Sequence, residues 1–139
     1  MANGDADHPS GFTHLDGQGR VSMVDVSAKP VTRRLAVARG RVTMSADALD
    51  RLRQGRVAKG NVLETARLAG IMAVKETARL IPLCHPLPVD HVRLDFELSD
   101  DPPGVLIEAQ VTAEARTGVE MEALTAVGLA ALTVYDMMK

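Results

Sequence analysis

The stretch "HVRLDFELSDDPPGVLIEAQVTAEA", residues 91–115, decides the fold. In its first half Val92, Leu94, Phe96 and Leu98 alternate with Arg93, Asp95 and Glu97, and in its second half Ile107, Ala109, Val111 and Ala113 keep the same two-residue period. Successive side chains of a strand point to opposite faces, so the pattern describes two strands with one covered face and one polar face. Between them "SDDPPG" is turn chemistry, which joins the strands as an antiparallel hairpin.

Working outward, "VTRRLAVARGRVTM" reads as a further strand at about 33–44, with Ala38, Val42 and Met44 on one face and Arg39, Arg41 and Thr43 on the other, although Gly40 weakens it. "SADALDRLRQG" is a short helix with Ser45 as N-cap, Leu49 and Leu52 facing inward and Gly55 as its stop. Asn61 followed by Glu64 resembles a capping box and Pro82 ends the run, predicting a helix over 62–80 whose core face holds Val62, Leu63, Ala66, Ala69, Met72 and Ala73. A final helix follows from residue 118. Helices on one face of a mainly antiparallel sheet make an α+β layer, and a β-α-β-β-α-β plan needs one more strand than these residues supply. Residues 1–12, small and polar, read as a flexible arm, leaving 13–139 as a single domain.

Composition narrows the function. The chain has 139 residues and a formal net charge of −2, so no global field draws it to nucleic acid or an anionic membrane. Two Phe, one Tyr and no Trp leave almost no platform for stacking bases. A single cysteine excludes an internal disulfide framework, and the start of the chain lacks a signal-peptide pattern, so a cytoplasmic protein is expected. Apolar runs such as "VGLAALTVY" fall well short of the roughly 20 residues that span a bilayer.

The final helix carries unexpected charge. Thr117 and Glu120 form a capping-box signature, which accounts for Glu120 about as well as catalysis does. Glu122, Thr125, Thr133 and Asp136 share one stripe, interrupted by Leu129 and flanked by residues expected to fill the core, Leu124 and Leu132 among them. A solvent face would carry more Lys and Arg, so a recessed cleft or a subunit interface fits the stripe better. Fourteen residues separate Glu122 from Asp136, roughly 21 Å along a helix, too far for one small reacting centre. The bland reading of Asp136 is an i,i+3 pair with Lys139.

Elsewhere, Pro82, Pro86 and Pro88 hold Cys84 and His85 in a stiff loop, a mount that suits a functional histidine and equally a structural pair. No metal-ligand spacing accompanies them. Lys59 and Gly60 precede a helix N-terminus, where an anion is favoured, and Arg33, Arg34, Arg39 and Arg41 are candidates to add charge there.

Taken together, "FTHLDGQGRVSMVDVSAKPVTRR", "KGNVLETARLAGI", "IPLCHPL", "RTGVEMEALTA" and "LTVYDMMK" resemble the cyclic pyranopterin monophosphate synthase family, molybdenum cofactor biosynthesis protein C, from about residue 12 onward. The resemblance implies a ferredoxin-like α+β fold and a homohexamer built as a trimer of dimers with active sites between subunits. It implies a phosphorus–oxygen lyase that converts 3′,8-cyclo-7,8-dihydro-GTP into cyclic pyranopterin monophosphate and releases pyrophosphate. Carried over by position, it assigns catalysis to Asp136, Lys59, His85, Lys139 and Glu120, and substrate contact to Leu83, Cys84, His85, Met121 and Glu122. It implies no cofactor and no bound metal, no nucleic acid and no membrane; a divalent ion beside the pyrophosphate is not legible in the sequence. Family members continue past the position of Lys139 with a strand and a further site lysine, so the expected sheet lacks its C-terminal strand. The rival class is a non-catalytic ferredoxin-like oligomer that binds a nucleotide or pterin, because a fold alone does not fix function.

Overall fold

A computed structural model describes residues 13–139; the arm expected at 1–12 lies outside the described residues. The elements run β1 (Thr32–Thr43), α1 (Ala46–Arg53), α2 (Val62–Leu80), β2 (Val89–Asp100), β3 (Pro103–Ala115) and α3 (Glu120–Met138). The strands pair antiparallel in the order β1-β3-β2. The hairpin stands as its alternation predicts, with Leu94 opposite Ala109 and Phe96 opposite Ile107. β3 is central because its inward residues, Val105, Ile107, Ala109, Val111 and Ala113, are all at most 1% exposed and small or branched enough to lie beneath two helices.

Gly40 in β1 has a steric reason. A Cβ there would stand 2.5 Å from Val127 Cγ1, so α3 rests on β1 at the one position without a side chain. Arg39 and Arg41 project from the opposite face, Arg39 Nε lying 2.7 Å from Glu108 Oε2 and Arg41 donating to Ser99 Oγ at 2.9 Å. Among the described residues the sheet has three strands, and the second edge of β1 is unpaired, as the sequence leads one to expect of a ferredoxin-like layer without its last strand.

Both early caps form. The Ala48 amide donates to Ser45 Oγ at 3.2 Å, Gly55 takes φ +65°, and the Glu64 amide donates to Asn61 Oδ1 at 3.1 Å. The α2 box stays half closed, because the Glu64 carboxylate pairs with Arg67 instead of turning back to Asn61. Arg67 in turn donates to the Leu94 carbonyl and lies 5.2 Å from the centre of the Phe96 ring, tying α2 to β2. The core face of α2 is Val62, Ala66, Gly70, Ala73, Val74 and Thr77, whereas Met72, expected inward, is 56% exposed.

α3 departs from its sequence signature. Its N-cap is Val119, which makes no side-chain cap, so Thr117 and Glu120 do not form a capping box. Val119 is fully buried and its carbonyl accepts from the Ala123 amide at 3.1 Å; anchoring Val119 in the core moves the N-cap two residues past Thr117. The helix has the length and apolarity of a membrane span, with mean hydropathy 1.3 over an 18-residue window, which the shorter runs seen in the sequence did not suggest. Here its face of Ala123, Ala126, Val127, Ala130 and Val134 packs in the core against the sheet and α2.

α2 and α3 run antiparallel and touch where a Cβ on Gly70 would meet Leu94 Cδ2 at 2.6 Å and the Ala126 carbonyl at 3.1 Å. Gly70→Val is therefore expected to destabilise the fold by about 1–3 kcal/mol, read as a lower urea midpoint with an unchanged slope.

Candidate active site

The antiparallel helices bring the proline-rich loop after α2 against the first turn of α3. Ile81 closes α2, the Cys84 amide donates to its carbonyl at 3.1 Å, and the loop delivers Cys84 Sγ to 3.7 Å from Glu122 Oε1. Glu122 is 2% exposed and its Oε2 has no hydrogen-bond partner among the described residues, a costly arrangement for a carboxyl group. Burial pushes the Glu122 carboxyl above its ordinary value and the charge of Glu120 adds to the rise, against the lowering effects of Glu122's own amide and the Cys84 thiol. Burial, and then the neighbouring Glu122, push the Cys84 thiol up to about 11. Cys84 is thus a hydrogen-bond donor at neutral pH, and the thiolate that nucleophilic chemistry needs is scarce.

This junction opens onto a cavity of about 670 Å³ lined by Leu83, Cys84, His85, Glu120 and Met121, with Thr117 and Gly118 beside them. Five of the site residues expected from the sequence therefore share one wall, and Glu122 sits directly behind it. The facing wall comes from the segment before β1 and includes His14, Val24, Val26 and Lys29. Local bonds shape that segment: Asp16 accepts from the Gln18 and Arg20 amides at 2.9 Å, Asp25 accepts from the Ser27 amide at 2.9 Å, and Arg116 reaches the Ser27 carbonyl at 2.8 Å. Bonding to Ser27, with a smaller contribution from His85, holds the Asp25 carboxyl below the usual range. The sequence reading assigned no role to His14 or Lys29. The signal for Lys29 was its place before Pro30 in a polar, turn-rich stretch, where side chains are presented rather than packed.

The remaining expected residues form a second cluster at the far ends of the same helices. Lys59 donates to the Asp136 carbonyl, and Lys139 Nζ stands 3.2 Å from Asp136 Oδ1, both side chains of that pair being more than half exposed. A lysine on the last carbonyls of α3 also suits the helix dipole. Three of the four β1 arginines are engaged elsewhere: Arg39 and Arg41 on the outer sheet face, and Arg34 with the Ala115 and Arg116 carbonyls beside the cavity. Within one chain the two clusters stand at opposite ends of α3, roughly 21 Å apart at a rise of 1.5 Å per residue.

The polar stripe of α3 is not its outer side. Glu122 is buried, Thr125, Leu129 and Thr133 are half-buried, and Thr133 Oγ1 turns back to the Leu129 carbonyl at 2.8 Å. Solvent instead meets Met121, Leu124, Leu132 and Tyr135, so Leu124 and Leu132, expected in the core, lie outside it. Among the described residues no three His, Cys, Asp or Glu side chains gather as a metal site.

Comparison with known proteins bears on this arrangement. The family model described as "MoaC family" matches residues 23–139. A cyclic pyranopterin monophosphate synthase of Desulforapulum autotrophicum is 62% identical over 128 residues, covering 92% of this chain and 78% of that protein. One of Cereibacter sphaeroides strain KD131 is 62% identical over 132 residues, covering 94% of this chain and 82% of its own length. One of Thermomicrobium roseum is 59% identical over 128 residues, covering 92% and 77%.

Proposed function

The chain belongs to the MoaC family, and from that premise we propose how its two clusters act on 3′,8-cyclo-7,8-dihydro-GTP. The chain is a phosphorus–oxygen lyase of molybdenum cofactor biosynthesis that forms cyclic pyranopterin monophosphate and releases pyrophosphate. The observation that carries the site assignment is the meeting of Leu83, Cys84 and His85 with Glu120 and Met121 in one cavity wall, although the two segments are far apart in the chain.

Rebuilding the purine-derived ring as a pterin moves protons on and off nitrogen and oxygen. His85, Glu120 and Asp136 are the acids and bases available for this. Leu83 and Met121 supply apolar walls for the ring, and Glu122 with Cys84 supplies a hydrogen-bonding edge behind it. Forming the cyclic phosphate requires a hydroxyl oxygen to attack the α-phosphorus while the bond to the departing pyrophosphate breaks. Lys59 and Lys139 offset the charge that develops on the leaving group, and Lys29 adds a third cation on the cavity side.

A substrate carrying both a fused ring system and a triphosphate needs a site longer than either cluster. Their separation along α3, together with the exposed apolar residues between them, supports a homohexamer, a trimer of dimers, in which each site draws on two subunits. Residues 13–139 act as a single catalytic domain in that assembly. Its substrate derives from a nucleotide of the cytoplasm, where we place it, with no membrane or nucleic-acid partner.

Incubation of the purified protein with the cyclic dihydro-GTP is expected to give equimolar pyrophosphate and cyclic pyranopterin monophosphate, followed by coupled phosphate release and chromatography. Tight binding of the substrate with no pyrophosphate released overturns the enzymatic assignment in favour of a nucleotide or pterin sensor.

A further inference from the structure

Gly118 is a glycine that neither its backbone nor the core requires. It does not take positive φ, as Gly19, Gly55 and Gly60 do, so its backbone conformation is open to an L side chain. Gly40 and Gly70 lie beneath packed side chains, and Gly104 lies against the backbone of Val42 and Thr43. At Gly118 the three heavy atoms nearest to an added Cβ all belong to one carboxylate, that of Glu120, with Cδ at 2.5 Å and both oxygens nearer still. What a side chain at 118 would displace is therefore the charged end of a residue that lines the cavity.

Helix geometry brings that group there. Glu120 is the first residue of α3, and the Cα–Cβ bond of a helical residue tilts toward the N-terminus, so its side chain lies over the residues that precede the helix. The nearest of these, Val119, is turned into the core, and the next is Gly118, which has room to offer. Thr117, Gly118 and Glu120 share the cavity wall, and the charge of Glu120 is felt at the buried Glu122 behind it. A glutamate side chain turns about three bonds, and filling this space would send its carboxylate elsewhere.

We propose that Gly118 is a positioning residue, whose missing side chain seats the carboxylate of Glu120 at the cavity wall. The seat rests on the synthase reading only where turnover is the readout.

Gly118→Ala tests it. Because the displaced group is the free end of a flexible side chain, the variant is expected to fold, with a thermal midpoint at or above that of the wild type, since alanine lowers the entropy of the unfolded chain. Its kcat is expected to fall about 100-fold with KM unchanged, the usual cost of misplacing a reacting group by about 1 Å. Placed on top of Glu120→Ala, itself impaired, the same substitution is expected to cost nothing more, because the group it displaces is gone. The carboxyl carbon resonance of Glu120, identified by its loss in Glu120→Ala, is expected to shift in Gly118→Ala.

A Gly118→Ala protein that does not fold overturns the proposal, since the Cβ then meets packed atoms. So does an equal loss in both backgrounds or a raised KM, either of which means that the alanine obstructs the substrate itself. Unchanged kcat in Gly118→Ala beside an impaired Glu120→Ala overturns the positioning role, and an unmoved carboxyl resonance overturns the seat whatever the turnover. Normal turnover in Glu120→Ala, with the resonance shifted in Gly118→Ala, overturns the acid–base reading of Glu120 and leaves the seat standing.

Discussion

Asp136→Asn yields a folded, assembled protein whose turnover is lower by about 10²–10⁴-fold, the usual worth of a placed acid or base. Asp136 lies near the end of α3, exposed, with Lys139 at 3.2 Å as its side-chain partner. A surface pair of this kind contributes about 0–1 kcal/mol, so the thermal midpoint is expected to move little. Asparagine keeps the shape and the acceptor oxygen while removing the proton-exchanging group. The backbone carbonyl that receives Lys59 is untouched, so the lysine stays in place. Product formation at saturating substrate, together with sedimentation and circular dichroism, checks the expectation; an Asp136→Asn protein of normal turnover removes this carboxylate from the mechanism.

Glu122→Met is expected to gain stability and lose function. A buried carboxyl oxygen without a partner costs about 1–3 kcal/mol, which an apolar side chain of similar length removes. The Cys84 thiol keeps an acceptor, because the His85 carbonyl lies 3.6 Å from its sulfur. The gain depends on pH. Burial raises the folded-state pKa of Glu122 above its ordinary 4.5, so below that value both folded and unfolded chains hold the proton. As pH rises through 4.5 the unfolded chain loses its proton first, and the wild type loses stability until the folded pKa is reached. The Met variant lacks this loss, so its advantage in urea denaturation is expected to widen from pH 4 to pH 8. Turnover is expected to fall roughly 10- to 150-fold, the equivalent of one lost hydrogen bond of about 1.5–3 kcal/mol to a charged or buried group. A Met variant with full activity removes Glu122 from substrate contact, and an advantage that does not change with pH removes its titration from the stability of the fold.

Alternation and capping made the framework legible before any coordinates. The β2–β3 hairpin, the Ser45 and Asn61 caps and the end of α2 before Pro82 are local matters, settled by residues a few positions apart. What was less legible depended on contacts between distant residues. Gly40 looked like a defect in a strand until Val127 was seen above it. The Thr117–Glu120 signature was overruled because burying Val119 is worth more than the cap it displaces. Met72, Leu124 and Leu132 have the composition of a core, and helical periodicity does not distinguish an apolar side facing the same chain from one facing another. For the site, motif resemblance pointed to residues on both clusters, but the span of α3 between them follows from helix geometry alone. His14 and Lys29 escaped notice because they stand in irregular backbone, where no period marks which side chain turns toward the cavity.

The raised pKa of Cys84 has a consequence outside the reaction itself. Electrophiles and peroxides attack the thiolate, and a thiol pushed up to about 11 presents little of that form at neutral pH. The one sulfhydryl in the chain, half-buried at the cavity wall, is therefore expected to react slowly with iodoacetamide or hydrogen peroxide, so that oxidative stress has little purchase on the cavity.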